Sequence, residues 1–441
     1  MPVRGILPGR ELSSGTVEGA HPHMPIECVC VVGLGYIGLP TASVLAANGM
    51  KVLGVDTNAD AVRTINEGRI HIHEPDLDVA VRDAVAQGNL LAFTEPQPAD
   101  AFVLAVPTPM TPDHRPDLSY VESAARASAP VLRPGNLVVV ESTIPVGATE
   151  AVCWWIAEER SDLAVPTRGA DPESVGEDRI FVAHCPERVL PGQIMKELVG
   201  NDRVVGGVDE ASTEAAFALY QRFCQGAILA TDCRTAELCK LCENAYRDVN
   251  IAFANELSLV CERFDIDVWQ LISFANRHPR VNILKPGPGV GGHCIAIDPW
   301  FIVSSAPEQT KLMRQAREVN DGKPGVVVER VKREAARLED PVIACLGLAF
   351  KADVDDLRES PAVAITARLA EEGVGRILAV EPYVSSLPSK LTALGVVAAT
   401  LAEALAEADI LVLLVDHRQF REVAPSAYAG KVVVDTRGIW S

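Results

Sequence analysis

The sequence predicts an α/β protein in which two related, doubly wound domains are joined by a central helical domain with one long helix. Three observations carry that prediction. Short apolar runs alternate with helical patterns in the first and last parts of the chain, the signature of parallel sheets covered on both faces. A glycine-rich turn follows the first apolar run, VCVVGLGYIG, and is echoed by VIACLGLAFK at the start of the last third. Between them, Thr235 to Phe264 contains neither proline nor glycine.

Composition narrows the function. At ~150 residues per domain, 441 residues allow about three domains. Forty basic residues against 59 acidic ones give a net charge of −19, which disfavours nucleic acid and anionic membrane surfaces as partners. With 48% hydrophobic and 22% charged residues the chain is globular rather than disordered. No run reaches the ~20 apolar residues of a membrane helix. Many of the eleven cysteines, such as Cys28, Cys30 and Cys345, sit inside apolar runs and read as small buried hydrophobes of a reducing cytoplasm. Residues 1–24 are polar and lack the apolar centre of a secretory signal. They read as a disordered leader, with Met24 as an alternative start.

The elements follow in order. Ile26 to Val32 is a strand, followed by a helical stretch to Asn48. Lys51–Val55, Ala101–Val106 and Leu137–Val140 are further strands, and the Gly, Pro and Asp residues around 165–178 mark a loop. In the middle, Leu238, Leu241, Ala245, Val249, Ala252, Leu257, Val260 and Phe264 recur at three-to-four-residue steps, as in an amphipathic helix that connects domains or builds a dimer interface. Lys285 to Gly292 is a Gly/Pro loop. Pro341–Gly347, Arg376–Val380, Ile410–Val415 and Lys431–Val434 are the strands of the last third.

Gly33-Leu34-Gly35-Tyr36-Ile37-Gly38 fits G-x-G-x-x-G in the right context, after a strand and before a helix, with Asp56 ending the next strand. The first glycine makes the turn, the second lets backbone approach a pyrophosphate, and the third permits helix–strand packing. Asp56 is placed to accept from the adenosine ribose and would repel a 2′-phosphate, so NAD is expected rather than NADP. Thr108, Thr143 and Thr149 follow apolar strands, where open α/β sheets bind ligands, and are candidate contacts or ordinary turn residues. The second copy carries Lys351 in place of the third glycine, suggesting a phosphate held by a cation.

The chemical signal is Gly291-Gly292-His293-Cys294. Cys294 follows glycines and precedes an apolar, helix-like segment; a cysteine at a helix N-terminus can be activated as a thiolate, whereas composition alone favours another structural thiol. Lys240, Asn244 and Arg247 share one face of the long helix, a polar surface or a set of groups suited to an oxyanion. Cys239-x-x-Cys242 has no second pair and lies within the helix, so no metal site is expected. Cations at Arg188, Arg277, Arg280, Lys285, Lys351, Arg358 and Arg437 in turn-like segments of an acidic chain suggest a second anionic ligand, such as a nucleotide diphosphate.

The runs VVGLGYIGLPTA, HIHEPDL, AVPTP, ESTIPVGAT, CPERVLPGQ, NDRVVGG, RTAELCKLCENAYRDVNIAFANELS, ANRHPRVNILKPGPGVGGHCIAIDPWFI, GLAFKADVDDLRESPA and LVDHRQF complete the pattern. On these runs the chain resembles the UDP-glucose/GDP-mannose dehydrogenase family, and within it the branch that acts on UDP-N-acetyl-D-mannosamine. The resemblance implies two Rossmann-like domains and a homodimer built on the long helix. It divides the chain into residues 25–225 for NAD, 226–325 for dimerisation and 326–441 for the UDP-sugar. It implies a four-electron oxidation at C6, with Cys294 as nucleophile, Lys240 and Asn244 at the reacting oxygen, and Glu187 and Asp298 ordering water. By the same likeness Gly33, Gly35, Tyr36, Ile37, Gly38, Asp56, Thr108, Thr143, Thr149 and Arg358 bind NAD. Arg188, Val189, Lys240, Asn244, Arg247, His278, Arg280, Gly291, Phe350, Lys351 and Arg437 bind substrate. A sister enzyme for UDP-glucose or UDP-N-acetylglucosamine would share this chemistry. A nucleotide-binding protein without turnover would not need Cys294, nor would a one-step hydroxyacid dehydrogenase.

Overall fold

A computed structural model describes residues 26–169, 176, 178–292 and 294–440. The expected leader lies outside the described residues, as do 170–175 and 177 of the expected loop. The chain forms two compact units, the first ending at Cys242 and the second beginning at Glu243.

The first unit is built on eight strands: β1 (Cys28–Val32), β2 (Lys51–Val55), β3 (Leu90–Phe93), β4 (Ala101–Leu104), β5 (Leu137–Val140), β6 (Phe181–His184), β7 (Arg203–Gly207) and β8 (Ile228–Asp232). Their order is β3-β2-β1-β4-β5-β6-β7-β8. Every neighbouring pair is parallel except β6 and β7. Strand alternation explains why the apolar runs are nearly continuous. Val29 and Val31 enter the core on one face, while Cys30 and Val32 enter the core on the other. Strand order reverses between β1 and β4, and the crevice beyond their carboxyl ends is the ligand position of such sheets.

The second unit repeats the plan with β9 (Val342–Leu346), β10 (Arg376–Val380), β11 (Val397–Ala398), β12 (Ile410–Leu413) and β13 (Val432–Asp435). The order β11-β10-β9-β12-β13 is wholly parallel and again reverses beside its first strand. Ile343 and Cys345 face one core and Ala344 and Leu346 the other. Two Rossmann-like sheets with a helical region between them are therefore present.

The long helix runs Cys233–Arg263, 31 residues, or ~46 Å. It is apolar on two sides rather than one. Leu241, Ala245 and Ala252 are buried, whereas Leu238 and Val260 of the expected apolar face are exposed, as is Phe264 just past the helix end. In the second unit the helix packs against Lys311–Ala335 through buried polar groups. Arg317 donates to Asp248 at 2.5 Å, Asn320 bridges Asp248 to Asn255, and Asn255 accepts from the Gly287 N–H at 2.9 Å. This chain of bonds fixes the Gly/Pro loop to the helix pair. Among the described residues no helix is long and apolar enough to cross a membrane.

Candidate active site

The first fingerprint has the geometry a dinucleotide requires. Gly33 has φ +94°, and a Cβ there would sit 2.6 Å from the Ala105 carbonyl oxygen. A Cβ on Gly38 would lie 1.7 Å from the Gly33 oxygen, so only glycine lets the helix Gly38–Ala47 start this close to β1. Nothing lies within 4 Å of a Cβ placed on Gly35, which leaves its backbone open to a ligand. No side chain caps the helix at Ile37, and Tyr36 beside it is exposed. Asp56 is half-buried at the end of β2 and accepts from Leu34 N at 3.0 Å and Asn58 N at 2.8 Å. An open turn, an uncapped helix N-terminus and a carboxylate at the strand end fit NAD.

The three threonines separate. Thr108 donates to the Thr143 carbonyl at 2.7 Å, tying the turns after β4 and β5 together in the crevice. Thr149 is turned inward: it is fully buried and its hydroxyl donates to Glu237 at 2.6 Å. Glu237 also accepts from the N–H groups of Gly147 and Thr149. Glu237 is thus the anchor that ties the first turns of the long helix to the Thr143–Thr149 turn.

Glu187 lies just past β6, buried, with Oε1 accepting its neighbour's Arg188 N–H at 2.6 Å. Its Oε2 is buried with no hydrogen-bond partner among the described residues, and Arg203 Nη2 stands 3.7 Å away. Arg203 lies over the rings of Tyr220 and Phe223. A second carboxylate, Glu141, shares this interior, taking bonds from Tyr220 at 2.7 Å and Thr41 at 3.1 Å. Burial pushes Glu141 up to about 7, against the pull of Arg203. Glu74 of the HIHEPDL run is buried and accepts from Gly192 N and Ile194 N, so it steadies the loop that carries Glu187, Arg188 and Val189. Neither Glu74 nor Glu141 stands out in the sequence, because a buried carboxylate on backbone N–H groups, as Glu74 is, or on distant hydroxyls, as Glu141 is, has no spacing signature.

The second unit holds the thiol. Asn244, buried on the long helix, donates to Asp298 Oδ2 at 2.6 Å. Asp298 opens the helix Asp298–Ser305, and its N–H is given to the Cys294 carbonyl at 2.9 Å. Cys294, Asn244 and Asp298 are thus brought together. Cys294 is exposed. The expectation of a cysteine at a helix N-terminus is corrected: the helix starts four residues later, because Cys294–Ile297 close a turn on the Cys294 carbonyl. Gly291 and Gly292 are required by neighbours. A Cβ would meet the Glu359 oxygen at 2.5 Å from Gly291 and the Phe350 ring at 3.0 Å from Gly292. Lys240 is half-buried one turn before Asn244, while Arg247 is exposed.

The second fingerprint also carries a correction. Gly347 N donates to the Val380 oxygen at 2.8 Å, as Gly33 N does to Val55. The two copies therefore align Gly33 with Gly347, so Lys351 matches Ile37 and Ala352 takes the place of the third glycine. Phe350 is half-buried and Lys351 exposed. Arg437 is held by Asp416 at 2.7 Å and lies against Gly287, where a Cβ would be 2.8 Å from its Nη1. His278 and Arg280 are exposed on the loop before Lys285. Arg358 is engaged by Asp356 at 2.6 Å.

Fold, fingerprint and thiol turn define the class, an NAD-dependent oxidoreductase. Residues 27–224, 234–322 and 344–441 match the NAD-binding, central and UDP-binding domains of the UDP-glucose/GDP-mannose dehydrogenase family, and the chain belongs to that family. It is 59% identical over 413 residues to the NDP-N-acetyl-D-galactosaminuronic acid dehydrogenase of Ralstonia nicotianae, covering 94% of this chain and 96% of the relative. It is 55% identical over 425 residues to the UDP-N-acetyl-D-mannosamine dehydrogenase of Yersinia pestis, covering 95% and 100%. The solved UDP-N-acetyl-mannosamine dehydrogenase of Staphylococcus aureus superposes with a TM-score of 0.81 at 40% identity, covering 93% and 95%.

Proposed function

We propose that the chain oxidises UDP-N-acetyl-D-mannosamine at C6 to UDP-N-acetyl-D-mannosaminuronic acid in the cytoplasm, supplying a surface polysaccharide. The observation that carries this reading is the Cys294 turn, closed on Asp298 and backed by Asn244. NAD, when bound, accepts the hydride of each oxidation, two per sugar. Gly33, Gly35, Tyr36, Ile37, Gly38, Asp56, Thr108 and Thr143 hold it, with Arg358 and the Thr149 turn in support. The Cys294 sulfur adds to the C6 aldehyde as the C=O π bond opens, and its proton ends on the former carbonyl oxygen, so the carbon is kept as a thiohemiacetal until the second oxidation makes the thioester. Water then opens the thioester and frees the thiol. Lys240 and Asn244 steady the oxygen as charge develops, and Glu187 and Asp298 order the water. Arg188, Val189, Arg247, His278, Arg280, Gly291, Phe350, Lys351 and Arg437 take the nucleotide sugar. The proposed division is 25–225 for NAD, 226–325 for dimerisation and 326–441 for UDP.

A homodimer belongs to this reading. Tyr246, Phe253 and Val260 are exposed at seven-residue spacing on the long helix, an apolar seam suited to a second copy. The name of the Ralstonia relative favours a second reading, the same oxidation on a sugar of galactosamine configuration.

The test counts NADH per sugar consumed over a panel of UDP-sugars. Two NADH per UDP-N-acetylmannosamine, with UDP-glucose inert, is the expected result, and Cys294→Ser is expected to stop short of the second oxidation. Preference for the galactosamine configuration selects the second reading. Full four-electron turnover by Cys294→Ser would overturn the covalent step.

A further inference from the structure

The two nucleotide folds place an acidic residue at the same point, where each braces the turn after its first strand, but only the second backs that acid with a buried histidine. In the first, Asp56 ends the second strand half-buried, beside the turn. In the second, Glu381 follows β10 at the matching place and accepts from Leu348 N at 2.7 Å and Ala349 N at 2.9 Å. Glu381 is turned inward, its side chain only 1% exposed, and its Oε2 also meets His417 Nε2 at 3.2 Å.

His417 is fully buried between Tyr383, with ring centroids 5.0 Å apart, and Phe420, at 5.4 Å. Its Nδ1 accepts the Asp353 N–H at 2.9 Å. A ring nitrogen that accepts carries no proton, so this network assigns the proton to Nε2, which donates to Glu381. Asp353 sits at φ +60°, a conformation that needs outside support in a residue with a side chain. It has that support: besides His417, its Oδ1 takes Tyr383 Oη at 2.8 Å and Arg418 N at 2.9 Å. The turn from Gly347 to Asp353 is therefore pinned at both ends, by Glu381 at Leu348 and Ala349 and by His417 at Asp353. Between the pins stand Phe350 and Lys351. One residue earlier, Asp416 holds Arg437 at 2.7 and 3.0 Å.

We propose that His417 is a positioning residue for the nucleotide-sugar site, which it serves by clamping the Gly347–Asp353 turn, directly at Asp353 and through Glu381 at Leu348 and Ala349. The clamped turn thereby presents Phe350 and Lys351, beside the Arg437 that Asp416 holds. The proposal rests on the reading of these three residues as UDP-sugar contacts.

The test compares UDP and NAD affinities, by calorimetry on the full chain, for wild type, His417→Ala, His417→Asn and Lys351→Ala, with steady-state KM and kcat alongside. Asn offers an acceptor near the Nδ1 position, so it retains the Asp353 bond and loses the Glu381 bond. His417→Ala is expected to weaken UDP about tenfold and raise the UDP-sugar KM to match, the scale of losing a buried polar bond, with NAD affinity unchanged. His417→Asn is expected to fall between it and wild type, which keeps the test alive if the alanine variant fails to fold. Equal UDP affinity in the His417 variants, or equal losses of UDP and NAD affinity, overturns the clamp. Wild-type affinity in Lys351→Ala overturns the reading beneath it.

Discussion

Asp56 shows what a single carboxylate decides. It is half-buried, and its oxygens are braced by two backbone N–H groups that fix its direction. Asp56→Ala is expected to raise the KM for NAD about tenfold or more and to narrow the preference for NAD over NADP, because the repulsion of a 2′-phosphate is removed. Steady-state kinetics with both cofactors checks this, and an unchanged preference would contradict it. Asp56 was legible in the sequence because glycine spacing and strand end together define its place. Thr149 was misleading for a physical reason. A threonine after a strand signals a turn, but nothing in the sequence says whether its hydroxyl faces the crevice or, as here, Glu237. Glu74, Glu141 and His417 are harder still, since their partners are 36 to 120 residues away.

At the scale of elements, the strand ends of the first sheet gather charges into one interior. Glu141 ends its approach to Tyr220, Thr41, Arg203, Glu187 and the Cys185 thiol, all in the first unit. Its folded value of about 7 lies above the ordinary carboxylate value. Between those values the folded chain binds a proton that the unfolded chain has released, so this group's contribution to stability is lost as pH rises through the window. Glu141→Gln is expected to flatten that dependence. Urea unfolding at about pH 5 and about pH 8 measures it, and an equal slope in wild type and variant would rule it out. Elements themselves were the most legible level. Lys51–Val55, Leu137–Val140 and Arg376–Val380 match their strands residue for residue. The helix after Cys294 was misplaced by a turn, and the second fingerprint by one residue, because glycine letters alone do not reveal which N–H bonds to the neighbouring strand.

For the whole molecule, the duplicated sheets follow from alternating apolar runs, and the centre from the absence of proline and glycine in one stretch. The second apolar side of the long helix was not separable from the first by periodicity. If that side is the seam of a homodimer, Phe253→Glu should convert the protein to a monomer in sedimentation velocity, since it places a charge at the middle of the stripe. An unchanged sedimentation coefficient would remove the long helix from the interface. The same level of description bears on the cysteines. Burial pushes Cys30 and Cys185 to about 12 and Cys345 to about 11, which leaves these thiols inert to alkylation near neutral pH. Cys242 and Cys294 are the exposed ones among the eleven. A maleimide dye is therefore kept from the sealed thiols and directed to Cys242 and Cys294, with the half-buried Cys28, Cys224 and Cys239 behind them, and bound nucleotide sugar is expected to shield Cys294 from it. The loss of one label on adding nucleotide sugar would thus report occupancy of the site through the chain's own thiol, without engineering a single residue.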